Sequence, residues 1–348
     1  MGKKAVVLFN LGGPDKLESV KPFLFNLFND PNIISLPNPF RKWLAHFISS
    51  KREKTAQEIY QYIGGKSPLL ELTNQQAEAL EEYLETKDPM NEYGVYVCMR
   101  YWHPMTKEIV SQVKDFNPDE IILMPLYPQF STTTSGSSFQ AWEEEANTQS
   151  LDIPTRTFCC YPTEVSFIQA QSDLLLKSIQ QVPQGQKARI LFSAHGLPEK
   201  IIQKGDPYQW QVEQTAQAIV ENLPIAVQDW LVSYQSKVGP MKWITPSTEA
   251  EIKRAGDDKM GLIILPVAFV SDHSETLVEL DIEYRELAEE HGVTYYSRVP
   301  SLGIHEKYIQ SLGEMCLNKG KTGKTCSNFN SRVCPSEFGR CPNNFYGE

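Results

Sequence analysis

The run Gly261-Leu262-Ile263-Ile264-Leu265-Pro266-Val267-Ala268-Phe269-Val270 passes directly into Ser271-Asp272-His273-Ser274-Glu275. Its apolar part shows no polar alternation, so neither face is built to meet water. It is also only about half of the roughly 20 residues that a membrane-spanning helix needs. A strand covered on both faces, followed by a helix over 274–290, satisfies both constraints.

Outward from this stretch the same rhythm recurs. Ala5–Phe9 precedes a helical zone, Tyr93–Arg100 precedes Lys107–Asp115, and Glu120–Pro125 precedes a Ser/Thr-rich loop and Phe139–Asn147. The pattern restarts near 153, with strands at Thr155–Cys159, Ala188–Ala194 and Asp229–Gln235 among helices at Val165–Gln181 and Tyr208–Leu223. Alternation of this kind builds parallel sheets flanked by helices, here in two α/β halves. The expected segments are an N-terminal lobe over 1–152, a C-terminal lobe over 153–305, and a helix with a cysteine-containing tail over 306–348. Ligands of parallel sheets bind beyond the carboxyl ends of the strands. Chemically suggestive clusters fall there: Asn10–Pro14, Arg100–His103, Pro128–Gly136, His195–Pro198, Gln235–Trp243 and Ser271–Glu275.

The 348 residues carry a formal net charge of -10 without a concentrated basic face, which argues against a nucleic-acid partner. A hydrophobic content of 41% supplies one large or two medium cores. Lys3 and Lys4 precede an apolar stretch that stops at Asn10, so a strand is expected rather than a secretory leader, and a cytoplasmic, reducing location follows. Cys316, Cys326, Cys334 and Cys341 lie in the tail at spacings looser than a C-x2-C zinc pattern. Ligation of an iron–sulfur cluster needs only convergence in space, so they are candidate ligands, with unligated thiols as the alternative.

His195 follows a strand directly, and Gly196-Leu197-Pro198 turns the chain so that the imidazole faces a cleft, where it can take a proton or bind a metal. Glu275, Glu279 and Glu283 recur every four residues and form a ridge on a helix. Adjacent carboxylates repel one another, so such a ridge is either a solvated face or a path for cations or protons. Metal insertion into a porphyrin needs both functions, because the pyrroles lose two protons as the metal enters. Arg100 suits a carboxylate, while Tyr101, Trp102 and Trp243 suit a flat ring. Phe40, Trp43, Leu44, Phe47 and Ile48 make an amphipathic stripe with basic flanks, either a core face or a lip that meets a membrane surface through 36–50.

Ser193-Ala194-His195-Gly196-Leu197-Pro198, Lys204-Gly205-Asp206-Pro207-Tyr208, Gln235-Ser236-Lys237-Val238-Gly239-Pro240 and Ser271-Asp272-His273-Ser274-Glu275-Thr276-Leu277 resemble, in order, the signature segments of ferrochelatases. The resemblance extends over roughly residues 5 to 313. It implies the type I chelatase fold, two Rossmann-like lobes with a porphyrin cleft between them, and a C-terminal helix packed on the first lobe. It implies His195 and Glu275 as catalytic and metal-meeting residues, with His195 favoured as proton acceptor and a path through Asp272, His273, Glu279 and Glu283. Leu11, Tyr60, Ser67, Arg100, Tyr101 and Trp243 would contact the substrate, with Arg100 on a propionate. The substrates so implied are ferrous iron and protoporphyrin IX, handed over by the preceding oxidase of haem synthesis, with peripheral contact on the cytoplasmic side of a membrane. Animal ferrochelatases hold a [2Fe–2S] cluster partly through a mid-chain cysteine. Ala170 stands at that position here, so any cluster would be held differently. Coproporphyrin III as substrate, and a tetrapyrrole or metal carrier without turnover, are the rival readings.

Overall fold

The computed structural model of the chain describes residues 2–318, 325–329 and 331–343. Its elements run β1 (Lys3–Asn10), α1 (Val20–Phe28), α2 (Phe40–Gln61), α3 (Leu69–Lys87), β2 (Glu92–Met99), α4 (Thr106–Phe116), β3 (Glu120–Pro125), α5 (Ser135–Thr148) and β4 (Thr155–Cys160). There follow α6 (Val165–Gln180), β5 (Ala188–His195), α7 (Glu199–Gln203), α8 (Tyr208–Asn222), β6 (Trp230–Gln235), α9 (Thr248–Asp257) and β7 (Gly261–Pro266). A π-helix (Glu275–Glu283), α10 (Tyr284–Glu290), β8 (Tyr296–Arg298), α11 (Glu306–Leu317) and β9 (Thr325–Ser327) complete the chain.

Two compact units result. The first takes the chain up to Cys160 with the described residues of Leu312–Val333 and of the segment from Pro342; the second takes Tyr161–Ser311 and Cys334–Cys341. The first holds a parallel sheet of order β2-β1-β3-β4-β9, and the second a parallel sheet of order β6-β5-β7-β8. Ala5 to Leu8 on β1 and Leu262 to Leu265 on β7 are buried on both faces, which is why their sequences are unbroken apolar runs.

In the first unit Ile109, Val110 and Val113 of α4 pack with Trp142 of α5 against Val7, Phe9 and Leu123. The Glu108 carboxylate accepts the Met105 N–H at the start of α4, and Asn117, at φ 53, ends it in the left-handed region. In the second unit Ile252 and Ala255 of α9 pack with Leu280, Tyr284 and Ala288 onto Leu191, Leu262 and Ile264.

Several expectations are corrected. The strand at 155–160 does not open the second half: it pairs with β3, Ile121 opposite Thr155, as a further βα repeat of the first sheet. Alternation marks each repeat but not the place where one sheet ends. The tail is shared by the units, since α11 contributes its second half to the first, where Arg156 donates to the Cys316 carbonyl at 2.7 Å. The stripe on α2 is split: Leu44 and Ile48 are half-buried, while Phe40, Trp43 and Phe47 are exposed at 67%, 70% and 55%.

Candidate active site

In the second sheet the chain leaves β5 for β6 on one side and then returns past β5 to β7 on the other. That reversal opens a crevice beyond the carboxyl ends of β5 and β7. His195 is the last residue of β5, and Gln235, the last of β6, lies opposite it in register. Glu275 opens the π-helix that follows β7.

His195 Nδ1 and Glu275 Oε2 are 2.8 Å apart, and the two side chains keep 38% and 26% exposure, enough for a ligand to reach them. Burial works against the imidazolium, but the Glu275 charge and hydrogen bond overcome it, so the His195 pKa lies above its ordinary value. Burial would push Glu275 up, yet the imidazolium beside it holds its carboxyl well below the usual carboxylate range. An ion pair results. Both groups belong to one unit and are in direct contact. β5 and β7 are neighbours in the sheet, so the helix that follows β7 starts beside the last residue of β5.

The four-residue spacing of Glu275, Glu279 and Glu283 falls on a π-helix, not on the α-helix expected over 274–290, which begins as such only at Tyr284. π turns are uncommon and recur at functional sites. The Glu279 carboxylate accepts from Ser236 N at 2.9 Å, Ser236 Oγ at 2.6 Å, Gln235 Nε2 at 3.0 Å and Tyr284 Oη at 3.0 Å. Those donors offset the repulsion from Glu275, although burial, followed by the Glu275 charge, still raises the Glu279 pKa. Glu283 is exposed, and partial desolvation with the Glu286 charge raises its pKa too.

Asp272 is committed to structure: it accepts from Arg298 Nη1 at 3.0 Å and from Ser301 Oγ at 2.7 Å. His273 is buried with its ring 4.6 Å from that of Phe269, and burial pushes its pKa down. Trp243 lies against Gly196, where an added Cβ would come within 3.2 Å of the indole and 3.0 Å of the Gln235 carbonyl. A side chain at 196 would press the indole back by a few tenths of an ångström.

The residues expected at the substrate in the first unit gather in one region. Leu11, Tyr60, Tyr101 and Trp102 share an apolar cluster with Val20 and Phe23. Ser67 meets the loop of Asn10–Pro14, where a Cβ at Gly13 would lie 2.5 Å from Ser67 Oγ. Tyr101 is buried rather than presented, its hydroxyl donating to Asp30 Oδ2 at 2.7 Å. Arg100 is already paired, with Nη2 2.9 Å from Asp30 Oδ2 and Nε donating to Ser137 Oγ at 2.7 Å.

Sequence reading quoted Gln235, Ser236 and Tyr208 in its segments but gave no role to them or to Tyr284; the Tyr208 hydroxyl donates to the His195 carbonyl at 3.1 Å.

Cys316 and Cys326 belong to the first unit and Cys334 and Cys341 to the second, and among the described residues no three His, Cys, Asp or Glu side chains are grouped to hold a metal. Burial pushes the Cys316 thiol up to about 12 and raises Cys326 as well.

The profile of the Ferrochelatase family matches residues 3–319. A ferrochelatase of Pelagibacter ubique is 49% identical over 341 residues, covering 98% of both chains. One from Wolbachia sp. subsp. Drosophila simulans is 51% identical over 317 residues, covering 91% of this chain and 99% of its own. Among solved structures, SirB from Bacillus subtilis with Fe3+ aligns at a TM-score of 0.54 and 13% identity over 90% of this chain and 94% of its own, a likeness of fold. With the strand-end histidine and the acidic helix after β7 in place, and with relatives that match it almost end to end, the chain belongs to the ferrochelatase family.

Proposed function

We propose that this chain inserts ferrous iron into protoporphyrin IX, with release of two protons, to form haem. The observation that carries this reading is the contact of His195 with Glu275 at the switch point of the second sheet. Since Nδ1 is engaged by Glu275, Nε2 is the nitrogen left to accept a pyrrole proton. His195 is therefore the proton acceptor, and Glu275 orients the ring and balances the charge it gains. Glu275 also offers the incoming cation an oxygen. Glu279, half-buried, and Glu283, exposed, continue from there toward solvent and form the proton exit. Asp272 and His273 take supporting parts in that path, Asp272 by anchoring its start through Arg298.

In the second unit Trp243 offers a flat contact for a tetrapyrrole; in the first, Leu11, Tyr60 and Tyr101 share an apolar cluster, and Ser67 meets the Asn10–Pro14 loop. Arg100 reaches a propionate only by sharing or leaving Asp30. Iron is a substrate in this scheme, and no step passes through the tail cysteines.

Exposed Phe40, Trp43 and Phe47, with Trp43 and Phe47 stacked at 6.0 Å, support contact of residues 36–50 with a membrane surface from the cytoplasmic side. There the chain would receive porphyrin from the preceding oxidase. Among the described residues no helix is long and apolar enough to cross a membrane.

Anaerobic incubation of the purified protein with Fe2+ and either protoporphyrin IX or coproporphyrin III tests the reading. Faster haem formation from protoporphyrin is expected. A faster reaction with coproporphyrin would reassign the substrate, and tight binding without turnover would make the protein a carrier.

A further inference from the structure

Ser236 is the first residue after β6 and holds φ 64, a left-handed backbone that side chains other than Asn or Asp rarely adopt. This conformation aims two donors of one residue at one carboxylate, the N–H at Glu279 Oε1 (2.9 Å) and Oγ at Glu279 Oε2 (2.6 Å). The same Oγ stands 3.3 Å from Glu275 Oε2, the oxygen that meets His195. The hydroxyl thus stands between two carboxylates that would otherwise repel each other, its one proton directed to Glu279, with Glu275 at a longer contact. Glycine would take this backbone at lower cost and keep the N–H, so what serine adds at 236 is the hydroxyl.

We propose that Ser236 is a positioning residue for metal insertion: its hydroxyl holds the Glu279 and Glu275 carboxylates in one mutual arrangement and thereby fixes the oxygen that His195 meets. The inference rests on His195 and Glu275 being the reacting pair. It assigns Ser236 no contact with the porphyrin.

Wild type, Ser236→Gly and Ser236→Ala are compared for anaerobic insertion of Fe2+ into protoporphyrin IX, with thermal midpoints measured on each. Glycine relaxes the backbone and alanine keeps its strain, but both remove the hydroxyl. Both variants are expected to lose on the order of tenfold in kcat, the scale of one hydrogen bond to a charged group, with KM for the porphyrin unchanged. A Ser236→Gly variant with wild-type kcat overturns the proposal, because the position would then supply only a turn. A rise in porphyrin KM equal to the loss in kcat overturns it as well, by pointing to general distortion of the site. Wild-type protein that inserts no iron overturns the parent reading, an outcome separate from either variant result.

Discussion

At His195 the charge of Glu275 outweighs the effect of burial, so the imidazole keeps its proton to higher pH than an ordinary histidine. A raised histidine pKa adds stability that is complete below the ordinary histidine value of about 6.5 and is lost as pH rises through the folded value. The depressed Glu275 carboxyl adds stability that is present above the ordinary carboxylate range and is lost as pH falls through its lowered value. Between those limits the pair is charged on both sides. A base must first be neutral, so the acid limb of the insertion rate should lie above about 6.5. In NMR titrations His195 should show the same raised pKa, and Glu275→Gln should bring it down by removing the charge. A wild-type pKa at or below the ordinary value would contradict this. His195, Glu275 and Trp243 were legible because a strand-end rule selects them. Ser236 and Gln235 were quoted in a strand-end segment but their role was not legible, because a serine and a glutamine have no spacing signature and their part arises where β6 meets the π-helix.

At the scale of elements, the π-helix is fastened from outside. Arg298 at the end of β8 donates Nε and Nη2 to the two oxygens of Asp281 at 2.7 and 2.8 Å, and Nη1 to Asp272 at 3.0 Å. Removing one partner of such a largely buried group leaves the others uncompensated. Arg298→Met should therefore lower stability by about 3 kcal/mol, read from denaturant unfolding. A loss too small to measure would show that the fastening contributes nothing. Gly256 in α9 tests packing: alanine there would normally favour the helix by about 1 kcal/mol. Its Cβ, however, would lie 2.1 Å from the His291 carbonyl oxygen, a backbone atom that cannot rotate away. Steric cost should win, so Gly256→Ala is expected to lower the melting temperature, and an unchanged or higher value would contradict that packing. The spacing of Glu275, Glu279 and Glu283 was readable, but not its π character, because residues four apart stay on one side of either helix. β8 and β9 escaped notice because each spans only three residues, too few for periodicity.

For the whole molecule, burial on both faces made β1, β3 and β7 the most readable strands, since their central residues form unbroken apolar runs. Membership of a sheet is a long-range property, so nothing local in Thr155–Cys160 announces its pairing with β3. Likewise nothing in the cysteine spacing reveals that the tail divides between units. The exposed aromatics of α2 yield a test of membrane contact. Trp43→Ser with Phe47→Ser should reduce sedimentation with vesicles containing anionic lipid, while insertion into detergent-dispersed porphyrin is retained; undiminished sedimentation would remove that surface from the account. The central claim, that His195 takes the pyrrole proton beside Glu275, is reached most directly by one comparison of wild type with His195→Ala. Protoporphyrin binding is followed by fluorescence and iron insertion by absorbance in the same anaerobic samples. The variant should bind porphyrin as wild type does and insert iron about 100-fold or more slowly, the scale of a lost general base. Insertion at the wild-type rate by a variant with unchanged porphyrin binding would contradict the claim.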